Sequence, residues 1–129
     1  MLNISSIHHV AVICSDYEKS KAFYTEKLGF EIIEETYRKE RKSYKCDLRV
    51  GESDQIELFS FKNPPERVTN PEACGLRHLA FKVKDIEQSV RDLKEMGIPV
   101  EPIRLDPLTG KKFTFFRDPD DLPLEIYEN

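Results

Sequence analysis

HVAVICSD at residues 9–16 has a counterpart later in the chain, HLAFKVKD at residues 78–85. In both stretches a histidine precedes an apolar run that is long enough for a strand and too short for a helix. An aspartate follows at the position where a helix N-cap belongs. Each half of the chain later carries a glutamate inside an apolar run, Glu57 in the first half and Glu125 in the second. The chain therefore consists of a duplicated unit that begins with histidine and ends with glutamate.

The first half predicts one helix and three further strands. Asp16 can cap a helix over residues 17–28, and Gly29 can end it because glycine tolerates the left-handed backbone conformation found after helices. Three extended segments follow, with a turn at 51–54 before the last of them: 30–37, 43–50 and 55–61.

The second half predicts the same order of elements. Asp85 caps a helix in which Gln88, three residues later, completes a capping box, and Gly97 ends the helix. The core stripe of this helix is Ile86, Val90 and Leu93. A turn at 117–122 precedes the last of the extended segments, which are 100–106, 112–117 and 123–127. The predicted fold class is α+β, with two βαβββ modules.

The segment between the halves, NPPERVTNP at residues 63–71, is rich in proline and cannot sustain a helix or a central strand. A chain of 129 residues is long enough to bury one core without disulfides or structural metals. We therefore expect a single domain over 1–129, made of module 1–62, linker 63–74 and module 75–129.

Composition excludes several classes of partner. The formal net charge of −4 argues against nucleic acid, because phosphate binding favours a basic surface. No apolar run approaches the roughly 18 residues of a membrane span, and no signal peptide opens the sequence. The three cysteines are widely spaced without a CxxC motif, so we expect no disulfide and a cytoplasmic location.

Two histidines and two glutamates are candidate metal ligands. Successive side chains of a strand point to opposite faces. The valines of the first strand share the face that packs on the helix, so His9 points the other way. The same alternation separates Glu57, His78 and Glu125 from their apolar neighbours. Because a lone buried carboxylate costs several kcal/mol, the four residues predict a bound cation.

The ligand types restrict the metal. Two imidazoles and two carboxylates without a thiolate suit a six-coordinate divalent ion such as Ni, Co, Mn, Fe or Zn, with two positions left for substrate oxygens. Whether one chain or two supplies the four ligands stays open. His8 falls on the opposite parity and is interpreted as structural, as is Cys14 on the packed face. Cys46 and Cys74 belong to no motif.

Further motifs run through the chain: HxAVxxxD at 9–16, SxxFYxxxLGF at 20–30, FFRDPD at 115–120 and PLEI at 123–126. Together they resemble the vicinal oxygen chelate superfamily of glyoxalases, bleomycin resistance proteins and dioxygenases. The His–Glu–His–Glu set is similar to that of glyoxalase I. Methylmalonyl-CoA epimerases usually have glutamine at the position of Glu57, whereas extradiol dioxygenases and fosfomycin-resistance enzymes typically use two histidines and one glutamate.

The resemblance implies a cupped mixed sheet around the metal, often in a homodimer, and a lyase or isomerase. The metal would hold two neighbouring oxygens of a small substrate, such as an α-ketoaldehyde–thiol adduct, and stabilise an enediolate. Glu125 would move the proton, or Glu57 on the other face of the substrate. The alternatives are a dioxygenase or thiol transferase on the same scaffold and a resistance-type module that binds a small molecule.

Two positions depart from the family pattern. Asp121 stands where glycine is frequent, and Ile13 stands where glutathione-dependent glyoxalases commonly carry an arginine that could hold a carboxylate. Positive charge elsewhere could attract an anionic substrate, although it could equally form a solvated rim that protects a sheet edge. The basic residues concerned are Arg38, Lys39, Arg41, Lys42, Lys45, Arg104, Lys111 and Lys112.

Overall fold

The computed structural model describes residues 1–129, which form two compact units, Met1–Pro65 and Glu66–Asn129. Each unit has one βαβββ module, so the predicted α+β class is confirmed. No helix or strand lies between Ser60 and Leu79. The expectation of a single domain with module 1–62, linker 63–74 and module 75–129 stays a prediction. No helix of the protein is both long enough and apolar enough to cross a membrane.

The first unit contains β1 (Val10–Cys14), α1 (Tyr17–Ala22), a π-helical turn (Phe23–Lys27), β2 (Glu31–Arg38), a 3-10 turn (Lys39–Arg41), β3 (Ser43–Val50) and β4 (Asp54–Ser60). Its sheet has the order β1-β4-β3-β2, in which β1 runs parallel to β4 and the other neighbours are antiparallel. The helix contacts this sheet through β4.

The second unit contains β5 (Leu79–Val83), α2 (Ile86–Glu95), β6 (Arg104–Leu105), β7 (Lys112–Arg117) and β8 (Pro123–Glu128). The sheet order β5-β8-β7-β6 repeats that of the first unit. The extended segment predicted at 100–106 is a strand at only two residues. The Glu101 N–H still donates to the Phe115 carbonyl at 3.0 Å, but Pro102 has no N–H with which to continue the ladder.

The first helix has the predicted cap and extent but a mixed geometry. Asp16 Oδ1 accepts the Lys19 N–H at 3.2 Å, which satisfies one of the free donors of the first turn. The second half is π-helical, with the Leu28 N–H donating to the Phe23 carbonyl at 3.0 Å. Gly29 follows with φ +77°, the left-handed conformation expected of it.

The second helix confirms its predicted cap and core stripe but not its capping box. Asp85 Oδ1 accepts the Gln88 N–H at 3.0 Å, and the three predicted stripe residues are buried. The Gln88 side chain does not reach back to the cap. Its Nε2 donates to Asp92 at 2.8 Å and its Oε1 accepts from Arg91 at 2.7 Å, so the capping-box interpretation is wrong.

Replacing Asp85 with alanine is expected to lower the free energy of unfolding by about 1 kcal/mol, because the variant loses the N-cap. Gln88→Ala is the matched control, because it keeps the backbone N–H that donates to Asp85. It should change the free energy of unfolding by only a few tenths of a kcal/mol, about the value of one exposed side-chain pair on a helix. Urea denaturation of both variants measures the difference. An equal loss of stability in the two variants would indicate that the Gln88 side chain does take part in a capping box.

Glu35 of β2 contacts two residues of the first helix and so links the helix to its sheet. It accepts a hydrogen bond from the Tyr17 hydroxyl, and its Oε2 lies 2.8 Å from Lys21 Nζ. The hydrogen bond from Lys21, and then that from Tyr17, lowers the pKa of the Glu35 carboxyl. A lowered folded-state pKa stabilises the protein above the pKa of the unfolded carboxyl, and this contribution disappears as pH falls through the folded value.

Glu35→Gln is therefore expected to destabilise the protein at pH 7 and to lose this effect near pH 3, with a difference of no more than about 1 kcal/mol for so exposed an ion pair. Urea denaturation of wild type and variant at both pH values measures it. The same offset at pH 3 and pH 7 would show that the ion pair contributes nothing.

Candidate metal centre

His9 and Glu57 lie side by side in the first unit. The parallel register of β1 and β4 sets Ala11 opposite Glu57, and His9 comes two residues before Ala11, immediately before the strand. His9 Nδ1 is 3.3 Å from Glu57 Oε2. Glu57 is only 6% exposed although its neighbours Ile56 and Leu58 are apolar. The buried carboxylate thus has an imidazole beside it, and the role of both residues as metal ligands stays a prediction.

Glu57 also has polar neighbours that the sequence did not reveal. Gln55 Nε2 donates to Glu57 Oε2 at 3.0 Å, and Lys45 Nζ lies 3.6 Å from Glu57 Oε1. Asp47, opposite Glu57 in the register of β3 and β4, accepts from Lys45 at 2.7 Å. This hydrogen bond raises the pKa of the Lys45 ammonium, which therefore stays charged. Glu57 is held on several sides by groups of fixed charge or polarity.

His8 also lies beside this pair. Its Nδ1 is 2.8 Å from His9 Nδ1, and ligand atoms of His8, His9 and Glu57 all lie within 4.8 Å of one another. The alternation rule does not apply to it, because β1 begins at Val10 and the two histidines precede the strand. A third nitrogen ligand is thus available in the first unit.

The second unit repeats the pair. Ala80 stands opposite Glu125 across the parallel strands β5 and β8, and His78 precedes β5 as His9 precedes β1. His78 Nε2 is 3.0 Å from Glu125 Oε2, and Glu125 is 9% exposed. All four predicted ligands therefore occur as two His–Glu pairs, one within each unit.

The surroundings of the second pair are aromatic where those of the first are charged. Phe115 stands opposite Glu125 in the register of β7 and β8, at the position that Asp47 occupies in the first unit. The ring of Phe115 meets that of His78 edge to face at 5.2 Å. His78 is the one side chain that contacts the Glu125 carboxylate through a polar atom. Glu125 is therefore less constrained than Glu57.

The two pairs fit a divalent cation. Each offers an imidazole nitrogen and a carboxylate oxygen that is largely shielded from solvent, and neither offers a thiolate. Mixed nitrogen and oxygen donors of this kind suit divalent transition ions. The imidazole–carboxylate contacts also give each buried carboxylate a polar neighbour, which it would be costly to lack.

Most of the basic residues predicted to attract an anion have partners of their own. Lys112 Nζ lies 2.6 Å from Glu87, and Arg104 lies 3.5 Å from Glu101. The Arg38 guanidinium stacks over the ring of Phe59 at 4.7 Å, a cation–π contact. Lys45 is the member of this set that reaches a candidate ligand.

Similar proteins match this chain over nearly its full length. The protein is 67% identical over 125 residues to a Bacillus subtilis protein named "Uncharacterized protein YwkD", with 97% of this chain and 98% of that protein covered. The crystal structure of a glyoxalase family protein from Enterococcus faecalis superposes with a TM-score of 0.90 at 53% identity, over 95% of this chain and 97% of that one.

Relatives whose names state an activity are more distant. Glyoxylase I 4 of Arabidopsis thaliana is 30% identical over 134 residues, which are 97% of this chain and 71% of that protein. The mitochondrial methylmalonyl-CoA epimerase of Bos taurus is 29% identical over 102 residues, 76% of this chain and 58% of that one. A family model matches residues 6–126, nearly the full length. The chain belongs to the Glyoxalase/Bleomycin resistance protein/Dioxygenase superfamily.

Proposed function

We propose that the protein is a metal-dependent lyase or isomerase of the glyoxalase I type, which moves a proton between neighbouring carbons of a small α-ketoaldehyde–thiol adduct or related substrate. The observation that carries the proposal is the repeated pairing of a buried glutamate with a histidine, His9 with Glu57 and His78 with Glu125. These four side chains are proposed as metal ligands, and the ion is divalent: Ni, Co, Zn, Mn or Fe. Relatives named as a glyoxylase and an epimerase support it.

The metal, when bound, polarises two neighbouring substrate oxygens and acidifies the C–H bond between them. Glu125 is the proposed base that takes this proton and returns it to the adjacent carbon. Its carboxylate has one polar contact, to His78, and lies beside Phe115, so it can move without breaking a network.

Glu57 is proposed as the fixed partner. Gln55 and Lys45 both contact it, so any movement would break a hydrogen bond and separate an ion pair. It can take a proton on the opposite face of the substrate only when these contacts loosen. The second carboxylate ligand also favours proton transfer over dioxygenase chemistry.

The test combines metal analysis with a substrate screen. Protein purified without an affinity tag is expected to hold about one equivalent of a transition metal per chain, and the double variant Glu57→Gln, Glu125→Gln is expected to lose it. Wild type should then convert methylglyoxal–thiol adducts, and exchange of the substrate C–H with solvent in D2O measures this conversion. No exchange with any α-ketoaldehyde adduct or epimerisable acyl compound contradicts the proposal, and oxygen uptake would favour a dioxygenase.

We also propose that the protein is a cytoplasmic homodimer that binds small molecules. Light scattering behind size exclusion gives the mass in solution, for which two copies of the 15.1 kDa chain are expected. A mass that stays at one copy over the concentrations used for turnover contradicts the dimer.

A further inference from the structure

A cavity of ≈ 230 Å³ lies within the second unit, beside the candidate ligand His78. Its walls come from the segment that precedes β5, including Arg67 and Thr69, and from the strand residues Phe115 and Arg117. Drug-sized ligands occupy pockets of about 300–1,000 Å³, so this cavity is suited to one end of a substrate. Its position next to His78 makes it continuous with the proposed reaction site.

The cavity has two positive charges that no carboxylate balances. Arg67 donates to the main-chain carbonyls of Leu76 and Arg77, and Arg117 Nη1 donates to the Asp121 carbonyl at 3.3 Å. Neither guanidinium forms an ion pair. A neutral carbonyl accepts a hydrogen bond without cancelling the charge of the guanidinium that donates it.

The other charged residues of the wall are already paired. Arg77 Nε lies 2.9 Å from Glu72, and Glu101 lies 3.5 Å from Arg104. Two further polar atoms of the wall, Arg67 Nε and Thr69 Oγ1, are buried without a hydrogen-bond partner in the protein. A charged donor and a hydroxyl together match the requirements of an oxyanion.

We infer that this cavity binds the anionic end of the substrate, a carboxylate or a phosphate ester, through Arg67 and Arg117, with the non-polar part of the substrate against Phe115. Guanidinium groups recognise both oxyanions through paired hydrogen bonds. The assignment of the anion as part of a substrate rests on the proposed function, whereas anion binding itself does not.

The first test measures anion binding to metal-free protein by NMR, with inorganic phosphate and with acetate as probes at constant ionic strength. Saturable shifts are expected at the Arg67 Nε–H and at the Thr69 amide. Arg117→Gln should weaken the affinity about tenfold, the value of one charge-assisted hydrogen bond. Arg91→Gln removes the same charge from the exposed face of α2 and should leave the affinity unchanged.

Two outcomes overturn the inference: shifts no larger than those caused by chloride, or equal affinities in Arg117→Gln and Arg91→Gln. Tighter binding of phosphate than of acetate would assign a phosphate ester, and the reverse order a carboxylate. Arg117→Gln is the main variant because Arg67 also holds the backbone before His78, and its loss could unfold that segment.

The second test uses turnover. Methylglyoxal adducts of mercaptoacetate and of 2-mercaptoethanol differ in one carboxylate, and Arg117→Gln should lower kcat/KM for the first about tenfold and leave the second unchanged. Equal losses for both adducts overturn the substrate assignment. Phosphate binding without any turnover would support the anion site and contradict the proposed function. Turnover without anion binding would support the proposed function and contradict the anion site.

Discussion

Glu125→Gln is expected to lower kcat by a factor of about 10²–10⁴, the usual contribution of a positioned general base. Glutamine keeps the shape of the side chain and an oxygen for the metal, but it cannot take a proton at neutral pH. Its effect on KM should be small, because the amide leaves the contact with His78 possible. Steady-state kinetics on a methylglyoxal–thiol adduct, with metal content measured in the same samples, separates lost chemistry from lost metal.

Glu57→Gln is the matched control, since it makes the same chemical change at the equivalent position of the other unit. It should lower kcat less than Glu125→Gln, because Glu57 is held by Gln55 and Lys45 and is not the proposed base. Exchange of the substrate C–H in D2O reports the proton-abstraction step directly. If Glu57→Gln abolished exchange while Glu125→Gln retained it, the roles of the two carboxylates would be reversed.

His78→Ala is expected to weaken metal affinity by at least about 100-fold, because even partners one step removed from a metal contribute roughly 10–100-fold. His9→Ala should do the same in the first unit. Calorimetric titration with Ni²⁺ and Co²⁺ measures the affinities. The thermal stabilisation that wild type gains from saturating metal should vanish in both variants.

His8→Ala serves as the control for these two variants. His8 is exposed and lies outside the predicted set, so its removal should leave the affinity within about threefold of wild type, the usual scatter of such measurements. A loss equal to that of His9→Ala would make His8 a ligand, as its distance of 2.8 Å from His9 allows. Wild-type affinity in His78→Ala would contradict the proposed ligand set.

Local features of the fold were predictable because short-range chemistry determines them. Asp16 and Asp85 cap helices at the predicted positions, since an aspartate before an amphipathic run can satisfy free N–H groups wherever the helix later packs. The four candidate ligands could be picked out because duplication supplied the same spacing twice, but the contact of each glutamate with the histidine of its own unit was not predicted. Strand alternation then explained why buried glutamates occur between apolar neighbours.

Features that depend on strand register were not predictable. Asp47 and Phe115 stand opposite Glu57 and Glu125, and nothing in the sequence indicates which residue of a neighbouring strand will face a given glutamate. The side-chain directions of His8 and His9 were not predictable from strand alternation, because both residues precede β1, which begins at Val10. Asp121 replaces a frequent glycine and adopts φ +64°, a left-handed conformation that aspartate tolerates better than most side chains.

The hydrogen bonds of Arg67 have a consequence for the evolution of the duplicated chain. Arg67 donates hydrogen bonds to the two main-chain carbonyls that precede His78, so the segment that joins the two copies helps to fix the start of the second copy. Insertions or deletions between Arg67 and His78 should therefore be poorly tolerated, although this stretch contains no regular structure. The exposed turn at 51–53, which leads only from β3 to β4, should accept added residues far more readily.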